Sequence, residues 1–212
     1  MLRIIFIITL FASSIVFYSC SKDTTSKNIE ASEYFPNSVG DYWEYNVTRT
    51  ISGYSDKENY TVKVTIVGTQ KLIDGNKAFI WQYQYPSGND TNYVTITNDT
   101  VKIYDPFRIE TLRNLQFPLK IYLIPLQVGK RWDGKLLLID SSHVTISPNV
   151  TTKFQTFTDC FNIYHYYLAP NTEYVDTSWF QSNIGFIKNY YNHYVLAPRT
   201  VEVWELKKYL LH

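Results

Sequence analysis

The sequence has very little cysteine and almost no net charge. Cys20 and Cys160 are its only cysteines, so the core must hold the fold without a set of disulfides. Lys and Arg number 20 against 19 Asp and Glu, and this balance gives no electrostatic reason to bind nucleic acid. The composition therefore predicts a folded protein with no nucleic-acid partner.

Motifs for catalysis and metal binding are missing as well. The histidines form no His-x-x-x-His pair, and there is no Cys-x-x-Cys, no Gly-x-Ser-x-Gly and no glycine-rich phosphate loop. Cys160 and His165 differ by an odd number of positions on one predicted strand, so they face opposite sides of it. The sequence predicts no catalytic residue, no metal and no cofactor.

No apolar run is long enough for a membrane-spanning helix. The longest, from Ile4 to Phe17, falls short of the ~20 residues that a bilayer requires. A positive start precedes this run, and Cys20 and an abruptly polar stretch follow it. This order predicts a removable signal over residues 1–19 and a polar tether over residues 20–32.

The end of this signal resembles the lipobox of bacterial lipoproteins. Phe17, Tyr18 and Ser19 stand before Cys20 in place of the usual Leu-Ala-Gly, a variant similar to those of Bacteroidetes lipoproteins. The resemblance implies cleavage before Cys20, acylation of Cys20 and attachment to a membrane through this lipid. Ser21, rather than Asp, follows the cysteine, which by the same analogy implies the outer membrane.

The rest of the chain has the alternation of β-strands. Aromatic residues make up 17% of the sequence, and segments 43–48, 60–66 and 79–85 alternate between apolar and polar positions. The turn signals at 74–75 and 98–99 predict hairpin tips. The pattern predicts a mainly β, antiparallel domain over residues 33–212, forming a curved sheet, a sandwich or a barrel. One short helix or ordered loop is predicted near 106–123.

One sequence pattern occurs twice. Residues 35–43 and 124–132 share the order apolar-Pro-x-x-Val-Gly-x-x-Trp. The shared positions are Pro36, Gly40 and Trp43 in the first copy and Pro125, Gly129 and Trp132 in the second. Glycine permits a positive φ at a turn, and we expect each Trp to be buried at the end of a β-unit. The repetition predicts two pseudo-repeated halves, about 33–105 and 124–212; the same turn used twice by chance is the alternative.

A second resemblance rests on segments 34–45, 179–188 and 203–209. They are similar to the opening, a late aromatic strand and the closing strand of uncharacterised Bacteroidetes lipoproteins. The likeness implies an exported, lipid-anchored envelope protein, and it brings no activity with it.

Surplus aromatic residues give the remaining functional indication. Rings fall on both faces of several predicted strands, so one set packs inward and the other meets a second layer, a cavity or a ligand. Trp81 and Tyr83 are expected in the core or on a cavity wall, and Tyr166 and Tyr191 are candidates for a binding surface.

Three functions remain open at this point. The first is a non-catalytic binding module for a glycan or an apolar or amphipathic small molecule. The alternative is a structural or adaptor component that contacts other envelope proteins. The third is a hydrolase with an unrecognised site.

Overall fold

The computed structural model describes residues 35–111, 113–116, 118–134, 139–196 and 198–212. The predicted signal, the predicted lipidation site Cys20 and the predicted tether lie outside the described residues. Within those residues, no helix has the length and apolar character needed to cross a membrane.

The described chain forms twelve strands and one π-helical turn. The strands are β1 (Tyr42–Ile51), β2 (Lys57–Lys71), β3 (Lys77–Tyr85), β4 (Gly88–Ile96), β5 (Thr100–Tyr104), β6 (Lys120–Leu123), β7 (Arg131–Asp133), β8 (Ile139–Thr151), β9 (Thr156–Ala169), β10 (Thr172–Gln181), β11 (Gly185–Val195) and β12 (Thr200–Leu210). The helical turn, Phe107–Thr111, lies between β5 and β6. The helix or loop predicted near 106–123 is therefore confirmed at this turn, although residues 120–123 form a strand that was not predicted.

All twelve strands belong to one antiparallel sheet, which confirms the predicted fold class. The spatial order is β6-β5-β4-β3-β2-β1-β12-β11-β10-β9-β8-β7. Strand β1 pairs with β12, so the first and last strands lie side by side in the middle of the sheet. The sheet curves until its edge strands approach each other: the Trp132 indole on β7 donates a hydrogen bond to the Ile121 carbonyl on β6, 3.0 Å away. The result is a nearly closed, barrel-like sheet with an interior face.

Alternation decides which side chains enter this interior. On β1 the buried residues are Trp43, Tyr45 and Val47, each separated by a more exposed position. Strand β3 places Trp81 and Tyr83 inward in the same way, as predicted. Strands β1 and β3 therefore each contribute one row of side chains to the interior, whereas β4 buries three consecutive residues because its other face packs in a second, smaller hydrophobic cluster.

The two glycine turns have the same backbone geometry. Gly40 has a φ of 102° and Gly129 a φ of 85°, values in the region that favours glycine. Each glycine N–H donates a hydrogen bond to a carbonyl of the neighbouring strand, Ile66 for Gly40 (2.8 Å) and Val144 for Gly129 (2.9 Å). Each turn also precedes a run of six consecutive strands, which supports an ancestral duplication as a proposal.

Aromatic rings fill one end of the interior. Phe35 is fully buried, and its ring centroid lies 5.1–5.2 Å from those of Tyr122, Phe180 and Phe186. Trp43 and Trp81 pack beside this group, and the centroids of their two rings lie 5.5 Å apart. Cys160 is also fully buried, and burial raises the pKa of its thiol to about 11. Beyond these rings the interior is open, and the candidate site lies in this open part.

Candidate functional site

The open part of the interior is a cavity of about 670 Å³. Ligand sites in proteins typically measure roughly 300–1,000 Å³, so it is large enough for one small organic molecule. Its walls come from inward-facing positions of strands on both sides of the β1–β12 pair. The aromatic lining residues are Trp43, Tyr45, Trp81, Tyr83, Tyr85, Tyr122, Tyr167, Tyr174, Phe186, Tyr191 and Trp204.

Burial keeps three of the lining tyrosines, Tyr45, Tyr83 and Tyr191, in the neutral phenol form at pH 7. Burial raises the pKa of Tyr83 to about 12, and it raises the pKa values of Tyr45 and Tyr191 well above the ordinary value. The Tyr45 hydroxyl donates a hydrogen bond to the Phe186 carbonyl at 3.0 Å, which fixes its ring on the wall. The cavity therefore presents neutral ring faces rather than phenolate charges.

A buried charged group lies on one side of the cavity. Asp176 on β10 is 3% exposed, and its carboxylate contacts Lys120 Nζ at 2.9 Å and His193 Nε2 at 2.7 Å. Burial favours the protonated acid, but the Lys120 ammonium and the His193 hydrogen bond outweigh it and lower the pKa of Asp176 to about 2. Burial alone would lower the pKa of Lys120, and Asp176 instead raises it above its usual value. The Lys120–Asp176 pair is thus ionised, and it joins β6 to β10 across the incompletely closed side.

His165 on β9 behaves differently from these charged residues. Burial, with a smaller contribution from Lys120, lowers its pKa to about 4, so the imidazole is neutral near pH 7. Nδ1 lies 2.9 Å from the Ser142 hydroxyl, and Nε2 lies 3.5 Å from Asp140 Oδ1. These contacts hold the ring at the cavity wall.

Two buried polar atoms on the wall have no hydrogen-bond partner among the described residues. They are the indole nitrogen of Trp81 and the side-chain oxygen of Asn189, whose residues are 3% and 4% exposed. Both residues line the cavity. Each unpaired buried donor or acceptor costs about 1–3 kcal/mol, so the wall contains two points of unfavourable free energy, although both atoms are themselves covered by neighbouring groups.

The arrangement is suited to binding. Cys160, whose pairing with His165 the strand alternation argued against, is absent from the lining, and the described residues contain no group of three or more His, Cys, Asp or Glu side chains able to hold a metal ion. The interior combines aromatic ring faces with one buried ion pair, an arrangement that suits an amphipathic molecule.

The structure separates the two tyrosines predicted for a binding surface. Tyr191 lies on the cavity wall, whereas Tyr166 lies on the outer face of β9, between His165 and Tyr167, which point inward. Among the motif residues, Trp43 lines the cavity; Pro36, Gly40, Pro125, Gly129 and Trp132 lie outside the lining. Sequence reasoning missed Lys120, Asp176, His193 and His165. The one available indication was that Asp176 lies on the same face of β10 as Phe180, which favours an inward-facing carboxylate.

The neutral His165 predicts acid sensitivity. The unfolded chain takes up a proton on this histidine near pH 6.5, while the folded protein does so only near pH 4. Lowering the pH across that window therefore favours unfolding, by about 3 kcal/mol in total from this residue. We expect the free energy of unfolding of His165→Gln, measured with urea, to lack this part of the pH dependence. His143→Gln, on the neighbouring strand, is the control and should keep it; equal slopes for wild type and His165→Gln would contradict the prediction.

Comparisons with known proteins place the chain near two solved structures. One is described as an exported protein with a YmcC-like fold from Bacteroides fragilis, with 12% identity and a TM-score of 0.45; the comparison covers 84% of this chain and 98% of the other. The second is described as a lipoprotein from Parabacteroides distasonis, with 13% identity, a TM-score of 0.38 and the same coverage. No protein-family model matches the sequence, and no curated protein is significantly similar to it. Likeness at these TM-scores carries no conclusion about function.

Proposed function

We propose that this chain is an exported, lipid-anchored envelope protein whose interior cavity binds one small amphipathic molecule. The support for binding is the cavity of about 670 Å³ with its aromatic walls. The support for export and anchoring is the apolar run over residues 4–17 with Cys20 shortly after it. Outer-membrane attachment is the finer part of the proposal and rests on Ser21 after that cysteine.

Binding is tested by calorimetric titration with a panel of short envelope glycans and short-chain fatty acids, alcohols and amines. We expect saturable binding of at least one class, weakened roughly three- to tenfold in Trp81→Phe, because the smaller phenyl ring removes part of the stacking surface of the indole from the wall. Trp179→Phe is the matched control, since Trp179 lies outside the lining and donates to Ser147 instead. No saturable binding by any class would overturn the proposal in favour of an adaptor role.

Anchoring is tested by Cys20→Ala. Because the thiol of Cys20 would carry the lipid, the variant should move from the membrane fraction to the soluble fraction and lose the mass of the acyl chains. Cell fractionation after expression of the full-length gene measures the shift between fractions, and mass spectrometry measures the loss of mass. Identical fractionation and an unchanged mass in wild type and variant would contradict lipidation.

A further inference from the structure

Each lysine and arginine of the described cavity wall already has an acidic partner. Lys120 Nζ lies 2.9 Å from the Asp176 carboxylate and 4.6 Å from the centroid of the Tyr191 ring. Arg108 pairs with Asp105, whose carboxylate also accepts the backbone N–H of Arg108 at 2.8 Å. An anionic ligand would therefore have to displace a carboxylate that is already in place.

The other acids of the same wall have partners too. Glu202 lies 3.6 Å from Arg49 Nε and accepts a hydrogen bond from the Trp204 indole at 2.9 Å. Asp140 lies 3.5 Å from His165 Nε2 and is likewise partnered. A cationic ligand therefore finds no free carboxylate among the described lining residues.

Uncharged polar groups accompany these pairs on the wall. Burial raises the pKa of Tyr83 to about 12 and also raises the pKa of Tyr85, so both phenols keep their protons near pH 7. A protonated hydroxyl can both donate and accept a hydrogen bond. Further neutral groups in the lining are the hydroxyls of Tyr167, Thr172 and Tyr174 and the amide of Asn92.

The pairing of the charges affects ions and neutral molecules differently. An organic ion that enters the cavity loses water and meets no free opposite charge, whichever sign it carries. An alcohol or amide also loses water, but hydroxyl groups of the wall can replace those hydrogen bonds. Because an uncompensated ion is far more costly to remove from water than a hydrogen-bonded neutral group, the wall discriminates against both signs of charge.

We propose that the cavity selects an uncharged ligand, an apolar body that carries hydroxyl or amide groups. The Lys120–Asp176 and Arg108–Asp105 pairs set this selectivity by leaving neither sign of charge free. The inference rests on the proposed function, because it names the ligand class of the same cavity.

Calorimetric titration at neutral pH with three molecules of similar size tests the proposal: cyclohexanol, cyclohexylammonium and cyclohexanecarboxylate. The polar group is attached directly to the ring in each, so it must enter the cavity with the ring. We expect saturable binding of the alcohol, with both ions at least roughly tenfold weaker. Equal or tighter binding of either ion overturns the selectivity and leaves the cavity function standing. Failure of all three to bind also overturns it, and the wider panel of glycans, fatty acids, alcohols and amines then decides the cavity function separately.

Asp105→Asn tests whether a pair sets the selectivity. Asparagine keeps an oxygen for the Arg108 N–H but removes the negative charge, so cyclohexanecarboxylate should bind at least roughly tenfold more tightly than it binds wild type. Glu205→Gln is the matched control, because the pair of Glu205 with Lys188 lies outside the lining. No gain in Asp105→Asn, or an equal gain in Glu205→Gln, would overturn the role of the Arg108–Asp105 pair.

Lys120→Met tests the other sign of charge. This change leaves the Asp176 carboxylate without its ammonium, and cyclohexylammonium can then take that place. We expect cyclohexylammonium to raise the thermal unfolding midpoint of Lys120→Met but not that of wild type, and cyclohexanol to act alike on both. Equal shifts with cyclohexylammonium in the two proteins would overturn the role of the Lys120–Asp176 pair. Should Lys120→Met fail to fold, Asp105→Asn decides the proposal.

Discussion

Replacing either repeated tryptophan with alanine should lower the free energy of unfolding by about 3–5 kcal/mol. Trp43 is 2% exposed and Trp132 is 9% exposed, so each change leaves a large cavity. Each indole also donates to a distant carbonyl, Trp43 to Ile184 at 2.7 Å and Trp132 to Ile121 at 3.0 Å. Typical domains are stable by only about 5–15 kcal/mol, so such a loss threatens folding.

Urea unfolding of both variants measures this effect. Val39→Ala and Val128→Ala are controls at the exposed positions of the same two turns, where the valines are 56% and 61% exposed, and we expect changes within about 0.5 kcal/mol. Losses below about 1 kcal/mol in both tryptophan variants would show that the repeated motif does not support the core.

Lys120→Met should also lower the free energy of unfolding by about 3–5 kcal/mol, because it leaves the buried carboxylate of Asp176 without its ammonium partner. Lys188→Met is a control with matched geometry. Both ion pairs have an N–O distance of 2.9 Å, but the side chain of the acid is 4% exposed in the Lys120–Asp176 pair and 22% exposed in the Lys188–Glu205 pair. Water reaches the Lys188–Glu205 pair and can solvate either charge when its partner is removed, so the control should change stability by only about 1 kcal/mol.

The double variant Lys120→Met, Asp176→Leu separates charge burial from lost packing. Removing both charges should recover most of the stability, because no uncompensated carboxylate remains. Equal urea midpoints for Lys120→Met and Lys188→Met would contradict the prediction that the buried pair holds β6 against β10.

The strands and turns of this protein follow from its local sequence. Alternation along β1, β2 and β3 predicted their inward rows, because side chains of a strand point to its two faces in turn. Glycine at positions 40 and 129 predicted two turns for an equally local reason, the positive φ that other residues disfavour. Strands β4, β6 and β10 were not predicted, and β6 has only four residues, too few to show a period.

Only the tertiary structure decided what the inner face encloses. Trp81, Tyr83 and Tyr191 could be named from sequence as inward or binding residues, but no local pattern indicates that the sheet curves until β6 nears β7 and β10. That closure brings Lys120, Asp176 and His193 together from three separate strands. In an open sheet such polar side chains would remain in water, whereas inside a nearly closed sheet they pair with one another and form part of the cavity wall.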